Sequence, residues 1–135
     1  MNSENQSSGF SWVKARATCS LLPVFKKLEM DVREDVKVLN GLQGGPLPLV
    51  DVAGNDAGTM FQVFRGSEAR RTLSFVLHPD RIEITTEKSA FTVMLTLDDD
   101  CKCKLRILED GKTVRVLEQW QVRRLVLEEL FFNPA

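Results

Sequence analysis

The sequence predicts an α+β domain in which a long N-terminal helix packs on one face of a five- or six-stranded antiparallel meander, and a C-terminal helix closes the chain. Three observations indicate this fold. Apolar residues recur every three or four positions over 20–41, alternate with polar residues over 59–117, and return in a helix-forming context over 118–132. A helical period followed by a run of short strands is typical of the α+β class.

Composition indicates one ordinary domain. The 135 residues are 43% hydrophobic and 27% charged, with a net charge of −1. A chain of this size buries roughly two thirds of its unfolded surface, so we expect a single domain over 10–135. The polar segment 1–9 has neither an apolar period nor the features of a secretory signal, and it predicts a disordered tail. The near-neutral charge and short apolar runs predict no attraction to nucleic acid and no membrane span.

The helix over 20–41 carries one apolar stripe, formed by Leu21, Val24, Phe25, Leu28, Val32, Val36, Leu39 and Leu42. Ser20 is its predicted cap, Pro23 falls in the tolerant first turn, and Gly41 marks its end. The residues before it, 10–20, fit either a strand or a helix kinked near Pro23, and we favour the kinked helix.

Asp35 is the residue that interrupts this stripe. A buried, unpaired carboxylate costs several kcal/mol, so Asp35 is expected to mark either a pocket or the edge of the helix. It is the candidate pocket residue.

The segment 41–58 contains five glycines, Pro46 and Pro48, and this composition predicts a loop. Its apolar residues favour a loop that packs across an open edge of the core. A lid over a ligand is the alternative.

Turn chemistry predicts the strand pairing of the meander. Asp110-Gly111 predicts a tight hairpin that places Ile107 opposite Val114 and Leu105 opposite Val116. The remaining turns place Ile84 opposite Val93, Leu77 opposite Ile82, and Leu95 opposite Cys103. The final helix, 118–132, gathers Trp120, Val126, Leu127, Leu130 and Phe131 on one broad side.

The three cysteines argue against a disulfide framework and for a reducing, cytoplasmic location. Cys101 and Cys103 are predicted to share one strand face as buried thiols, because they continue the core alternation, and no metal or cofactor is expected. His78 is the single histidine and falls at a turn, so an exposed histidine is expected there. With no tyrosine and one histidine, the sequence favours a non-catalytic protein over an enzyme.

The other face of the predicted sheet gathers basic residues. The predicted pairing brings together five cations: Arg81, Lys102, Lys104, Arg106 and Arg115. One interpretation is a solvated face that confers solubility, and the other is a site for a small anionic ligand or a protein partner. The absence of aromatic residues from this cluster disfavours single-stranded nucleic acid.

These features predict a non-enzymatic interaction module. We expect it to self-associate as a homodimer through the exposed sheet face or an edge strand. The alternative is a small-ligand-binding protein or enzyme, with a pocket between the helix and the curled sheet beneath the loop 41–58.

Overall fold

The computed structural model describes residues 10–45, 49–66 and 70–133, so the predicted tail 1–9 lies outside the described residues. Within them the fold is α+β, as predicted. The helices are α1 (Trp12–Thr18), α2 (Leu21–Gln43) and α3 (Gln119–Phe132). The strands are β1 (Val50–Gly54), β2 (Met60–Arg65), β3 (Arg71–Leu77), β4 (Ile82–Thr85), β5 (Ala90–Leu97), β6 (Cys103–Glu109) and β7 (Lys112–Leu117). They form one antiparallel sheet in chain order, with each strand beside its sequence neighbour.

The predicted stripe of α2 faces the sheet and contributes Phe25, Leu28, Val32, Val36 and Leu39 to the core. The helix runs past Gly41 and ends where Gly44 adopts a left-handed conformation at φ 69°. The segment before it is helical, but it forms the separate helix α1 rather than the expected continuous helix kinked near Pro23. Ser20 is extended and separates α1 from α2.

Strand β1 corrects the prediction of a loop over 41–58. The side chain of Asn40, near the end of α2, holds the start of β1 in place. Its Oδ1 accepts from the backbone N–H groups of Leu49 (2.9 Å) and Val50 (3.1 Å), and its Nδ2 donates to the Val50 carbonyl (2.8 Å). Val50 is then buried at the sheet edge. The glycines and prolines concealed this short strand, which raises the strand number in the described part of the chain to seven.

The strand pairing agrees with the prediction at one turn and differs at three. Leu77 lies opposite Ile82 as expected. Ile84 pairs with Phe91 instead of Val93, and Leu95 pairs with Leu105 instead of Cys103. In both cases the register differs from the prediction by two residues, which is the side-chain period of a strand, so each side chain lies on its predicted face of the sheet.

Hydrogen bonds in the turns explain these two shifts. Thr86 Oγ1 accepts from the backbone N–H groups of Lys88 and Ser89, which closes a longer turn between β4 and β5. Asp98 Oδ1 does the same for Asp100 and Lys102 between β5 and β6.

At the third turn, the hairpin at Asp110-Gly111 forms as expected, with both residues at positive φ. A bulge beyond it, at Ile107/Leu108, shifts the register by one residue. Ile107 therefore pairs with Arg115 rather than Val114, and Leu105 pairs with Leu117 rather than Val116.

Cys101 and Cys103 do not share a strand face, contrary to the prediction. Cys101 is a free, half-buried thiol in the β5–β6 turn, at φ 60°. Cys103 begins β6 and forms a disulfide with Cys19, which lies between α1 and α2, with a Cα–Cα separation of 5.4 Å. The disulfide attaches the start of the helix layer to the sheet.

The core fills the space between the helices and the sheet. Phe25 of α2 packs against Phe61 at a ring-centroid distance of 5.3 Å, and Phe61 stacks on Phe75 at 4.3 Å. Arg65 of β2 donates to the carbonyls of Leu130 and Phe131 at 2.9 Å each, which satisfies the end of α3. No helix in the described part of the chain is long and apolar enough to cross a membrane.

Candidate functional site

The two long helices lie side by side and point in the same direction on the sheet. Gln119 Nε2 donates to Asp31 Oδ2 at 3.0 Å, and one turn later Arg123 Nη1 contacts Asp35 Oδ2 at 2.5 Å. Arg123 Nε also donates to Gln119 Oε1 at 2.8 Å. These contacts form a continuous polar ladder along the first half of the α2–α3 interface.

Groups in and beside the ladder lower the pKa of Asp31. Burial would raise the pKa of this carboxyl, but hydrogen bonds from Lys27 and Gln119 and the charges of Lys27 and Arg123 outweigh it. The pKa of Asp31 is therefore held below its ordinary value, and the side chain remains an anion at neutral pH.

Beyond the ladder, the outer side of the interface opens into an apolar groove of about 420 Å³. Its floor is formed by Leu39 and Leu127. Four large apolar side chains among the described residues of its walls are exposed: Val38 (50%), Leu42 (78%), Trp120 (50%) and Phe132 (68%). We call this feature the helix groove.

The four charged residues of the helix groove are all paired. Asp35 contacts Arg123, and Arg124 Nε contacts Glu128 Oε1 at 3.3 Å within α3. The groove thus combines an apolar centre with a border of both charge signs. Among the described residues that line it, none is an unpaired acid or base that could transfer a proton.

One row of α3 side chains faces away from the sheet with a spacing of four residues. In chain order it consists of Trp120, Arg124, Glu128 and Phe132. Residues at this spacing form a ridge on the helix surface. We call it the outer ridge of α3, and all four of its members are exposed.

The predicted basic cluster on the other face of the sheet is divided. Lys104 and Arg106 both point outward from β6, but Arg115 lies opposite Ile107, on the helix side of the sheet. Lys102 is exposed in the β5–β6 turn, outside the strands.

Two cations near that face have carboxylate partners, whereas Arg106 Nη2 donates to Met94 Sδ at 3.8 Å. Lys104 Nζ lies 3.5 Å from Glu118 Oε2, and Arg81 contacts Asp80 at 2.8 Å and Glu83 at 3.7 Å. His78 Nε2 lies 2.7 Å from Glu83 Oε1, so this histidine also has a carboxylate partner.

Asp35, the candidate pocket residue, lies at an edge of α2 and lines a cavity. That cavity is the helix groove on the outer side of the helices, however, whereas the alternative expectation placed it between α2 and the sheet. Phe25, Phe61 and Phe75 fill the inner space instead.

The sequence matches no protein-family model, and comparison with curated proteins and with solved structures finds no significant match. Within the described residues, no group of three or more histidine, cysteine, aspartate or glutamate side chains could hold a metal ion.

Sequence reasoning missed the partner of Asp35 and the exposure of Trp120. Trp120 was expected on the same broad side of the last helix as Val126 and Leu127, but Trp120 is half exposed whereas those two residues are buried. The available signal was its four-residue spacing to Arg124, since two charged residues at positions 124 and 128 identify a solvent-facing row.

Proposed function

We propose that the protein is a non-catalytic protein-interaction module whose contact surface is the helix groove. The observation that carries this proposal is the convergence of exposed Leu42, Trp120 and Phe132 on one concave site with an apolar floor. Clustered exposed apolar side chains on a folded domain mark contact sites, and tryptophan and arginine are enriched among residues that dominate binding energy.

The border charges specify the partner's chemistry. Because Arg124 and Glu128 provide one charge of each sign, the complementary surface is a protein that presents apolar side chains flanked by an acid and a base. The proposed contact surface therefore lies on the helix layer, whereas the sequence analysis expected it on the sheet face or an edge strand. The carboxylate partners of Lys104 and Arg81 support the solubility interpretation of that surface.

The compartment remains a prediction. The odd cysteine count favoured the cytoplasm, whereas a Cys19–Cys103 disulfide favours an oxidising environment.

Site-specific photo-crosslinking in the full chain tests the proposal. A photoreactive phenylalanine analogue at position 42 (78% exposed) is compared with the same analogue at Met30, another exposed α2 residue (65%) outside the groove. We expect position 42 alone to trap a protein, and we expect the product to disappear when Trp120→Glu is added. Equal trapping from positions 30 and 42, or none from position 42, would overturn the proposal.

A further inference from the structure

We infer that the occupant of the helix groove is a second copy of this chain, related by a two-fold axis that crosses the outer ridge of α3 between Arg124 and Glu128. This inference rests on the proposed function and names its partner. The four ridge residues follow the order apolar, basic, acidic, apolar.

A two-fold rotation reverses the direction of the ridge. The ridge of the second copy therefore presents its residues in the order Phe132, Glu128, Arg124, Trp120. Each copy then places Trp120 against the other's Phe132 and Arg124 against the other's Glu128. A contact made by the same patch on both subunits requires this kind of self-complementarity.

Helix geometry is consistent with such a contact. Rows of side chains with four-residue spacing on two helices run parallel to each other when the helices cross at about 50°. Trp120 and Phe132 lie about 18 Å apart along α3. The large aromatic side chains thus occupy the ends of the contact, where the two helix surfaces diverge and longer side chains are needed.

The charges favour this antiparallel arrangement over a parallel one. A parallel pairing would place Arg124 against Arg124 and Glu128 against Glu128, which is repulsive at both positions. The antiparallel pairing converts the exposed Arg124–Glu128 contact within one helix into two contacts between copies. Leu42 and Val38 on the other wall of the groove extend the apolar contact area.

Charge reversal tests the register. Arg124→Glu and Glu128→Arg each create two repulsive pairs in the dimer, so each variant is expected to raise the dimer dissociation constant about tenfold or more. Lys26→Glu, an equally charge-reversing change on the exposed side of α2 outside the groove, is the matched control. Sedimentation equilibrium of the full chain over a concentration series measures each constant.

Mixing the two weakened variants provides the decisive measurement. In a heterodimer of Arg124→Glu with Glu128→Arg, both contacts between position 124 of one chain and position 128 of the other join opposite charges. An equimolar mixture is therefore expected to recover wild-type affinity. Recovery also shows that both variants are folded.

A wild type that is monomeric at every concentration, or a dimer insensitive to both reversals, would overturn the inference. If position 42 still traps a different protein in the crosslinking experiment, the inference fails while the proposed function survives. If position 42 also traps nothing, both fail.

Discussion

The sheet and the helix layer each expose one surface to solvent. The two surfaces differ in whether their exposed side chains already have partners within the domain. On the sheet, several charged residues are paired locally, as Glu83 is with His78 and Lys104 with Glu118. On the helix layer, Trp120 and Phe132 protrude beside an apolar groove. Charged residues that already have local ion-pair partners add little free energy to the binding of another protein. Burial of exposed aromatic surface, in contrast, stabilises a complex.

The difference also shows why basic residues alone are a poor guide to a binding surface. The sequence places several cations near one another in the meander, but the strand pairing and turns supply carboxylates for Lys104 and Arg81. The outer ridge of α3 holds one basic and one acidic residue, paired with each other, and was far less conspicuous in the sequence. Its significance depends on which α3 residues face away from the sheet.

The largest expected effect comes from removing the disulfide, which attaches the helix layer to the sheet. Cys19→Ser opens a covalent loop with a sequence separation of 84 residues. The unfolded chain then gains conformational entropy, and we expect the free energy of unfolding to fall by about 4 kcal/mol in urea denaturation. Such a change would disturb the helix surface before the sheet surface, because Cys19 immediately precedes α2.

Cys101→Ser is the matched control for this experiment, since Cys101 is a free thiol two residues from Cys103. Its effect on stability is expected to be much smaller. Equal losses in the two variants would show that the Cys19–Cys103 bond does not stabilise the protein. Thiol titration of the native protein is expected to find one reactive sulfur per chain.

Much of the fold was predictable because side chains alternate with a period of two in strands. The β4–β5 and β5–β6 registers each differed by two residues from expectation, yet the buried faces were assigned correctly. The bulge between β6 and β7 shifts the register by one, so Val116 lies outside the core. Hydrogen bonds made by Thr86 and Asp98 decide the turn lengths, and single-sequence patterns do not reveal such bonds.

The site was less predictable for a different physical reason. Asp35 is visible in the sequence as an interruption of an apolar stripe, but its partner Arg123 lies 88 residues later, and their contact depends on how α2 and α3 align. The disulfide between Cys19 and Cys103 is similarly remote in sequence. Contacts between elements that are distant in sequence depend on how the helix layer and the sheet pack together. Apolar stripes and turns, in contrast, can be predicted from the local spacing of residues.

A smaller effect is expected on the sheet surface. Lys104→Gln removes the contact with Glu118, and because this pair is partly exposed the loss of stability should remain below about 1 kcal/mol. Phosphate at low ionic strength is expected to leave the melting temperature of the wild type unchanged. Lys102→Gln, in the exposed turn, is the matched control. A phosphate-dependent rise in melting temperature that Lys104→Gln abolishes would instead assign an anion site to the sheet and break the contrast with the helix layer.

The smallest effect is the pH dependence of stability that comes from Asp31, in the ladder next to the helix groove. Because folding lowers the pKa of Asp31, its ionised form stabilises the native state above the ordinary aspartate pKa, about 3.9. This contribution is lost as the pH falls through the lower pKa of the folded state. We therefore expect the free energy of unfolding of the wild type to exceed that of Asp31→Asn by less than about 1 kcal/mol at pH 7, because solvent screens the Lys27–Asp31 pair. The difference is expected to shrink towards about pH 3. Urea denaturation across this pH range measures the difference in the free energy of unfolding.

Lys27→Gln is the control, because it removes one of the groups that lower the pKa of Asp31 and should therefore weaken the pH dependence of stability. A difference that grows as the pH falls would show that burial, which raises the pKa, dominates at Asp31, and that the helix interface is not stabilised by its ionised form.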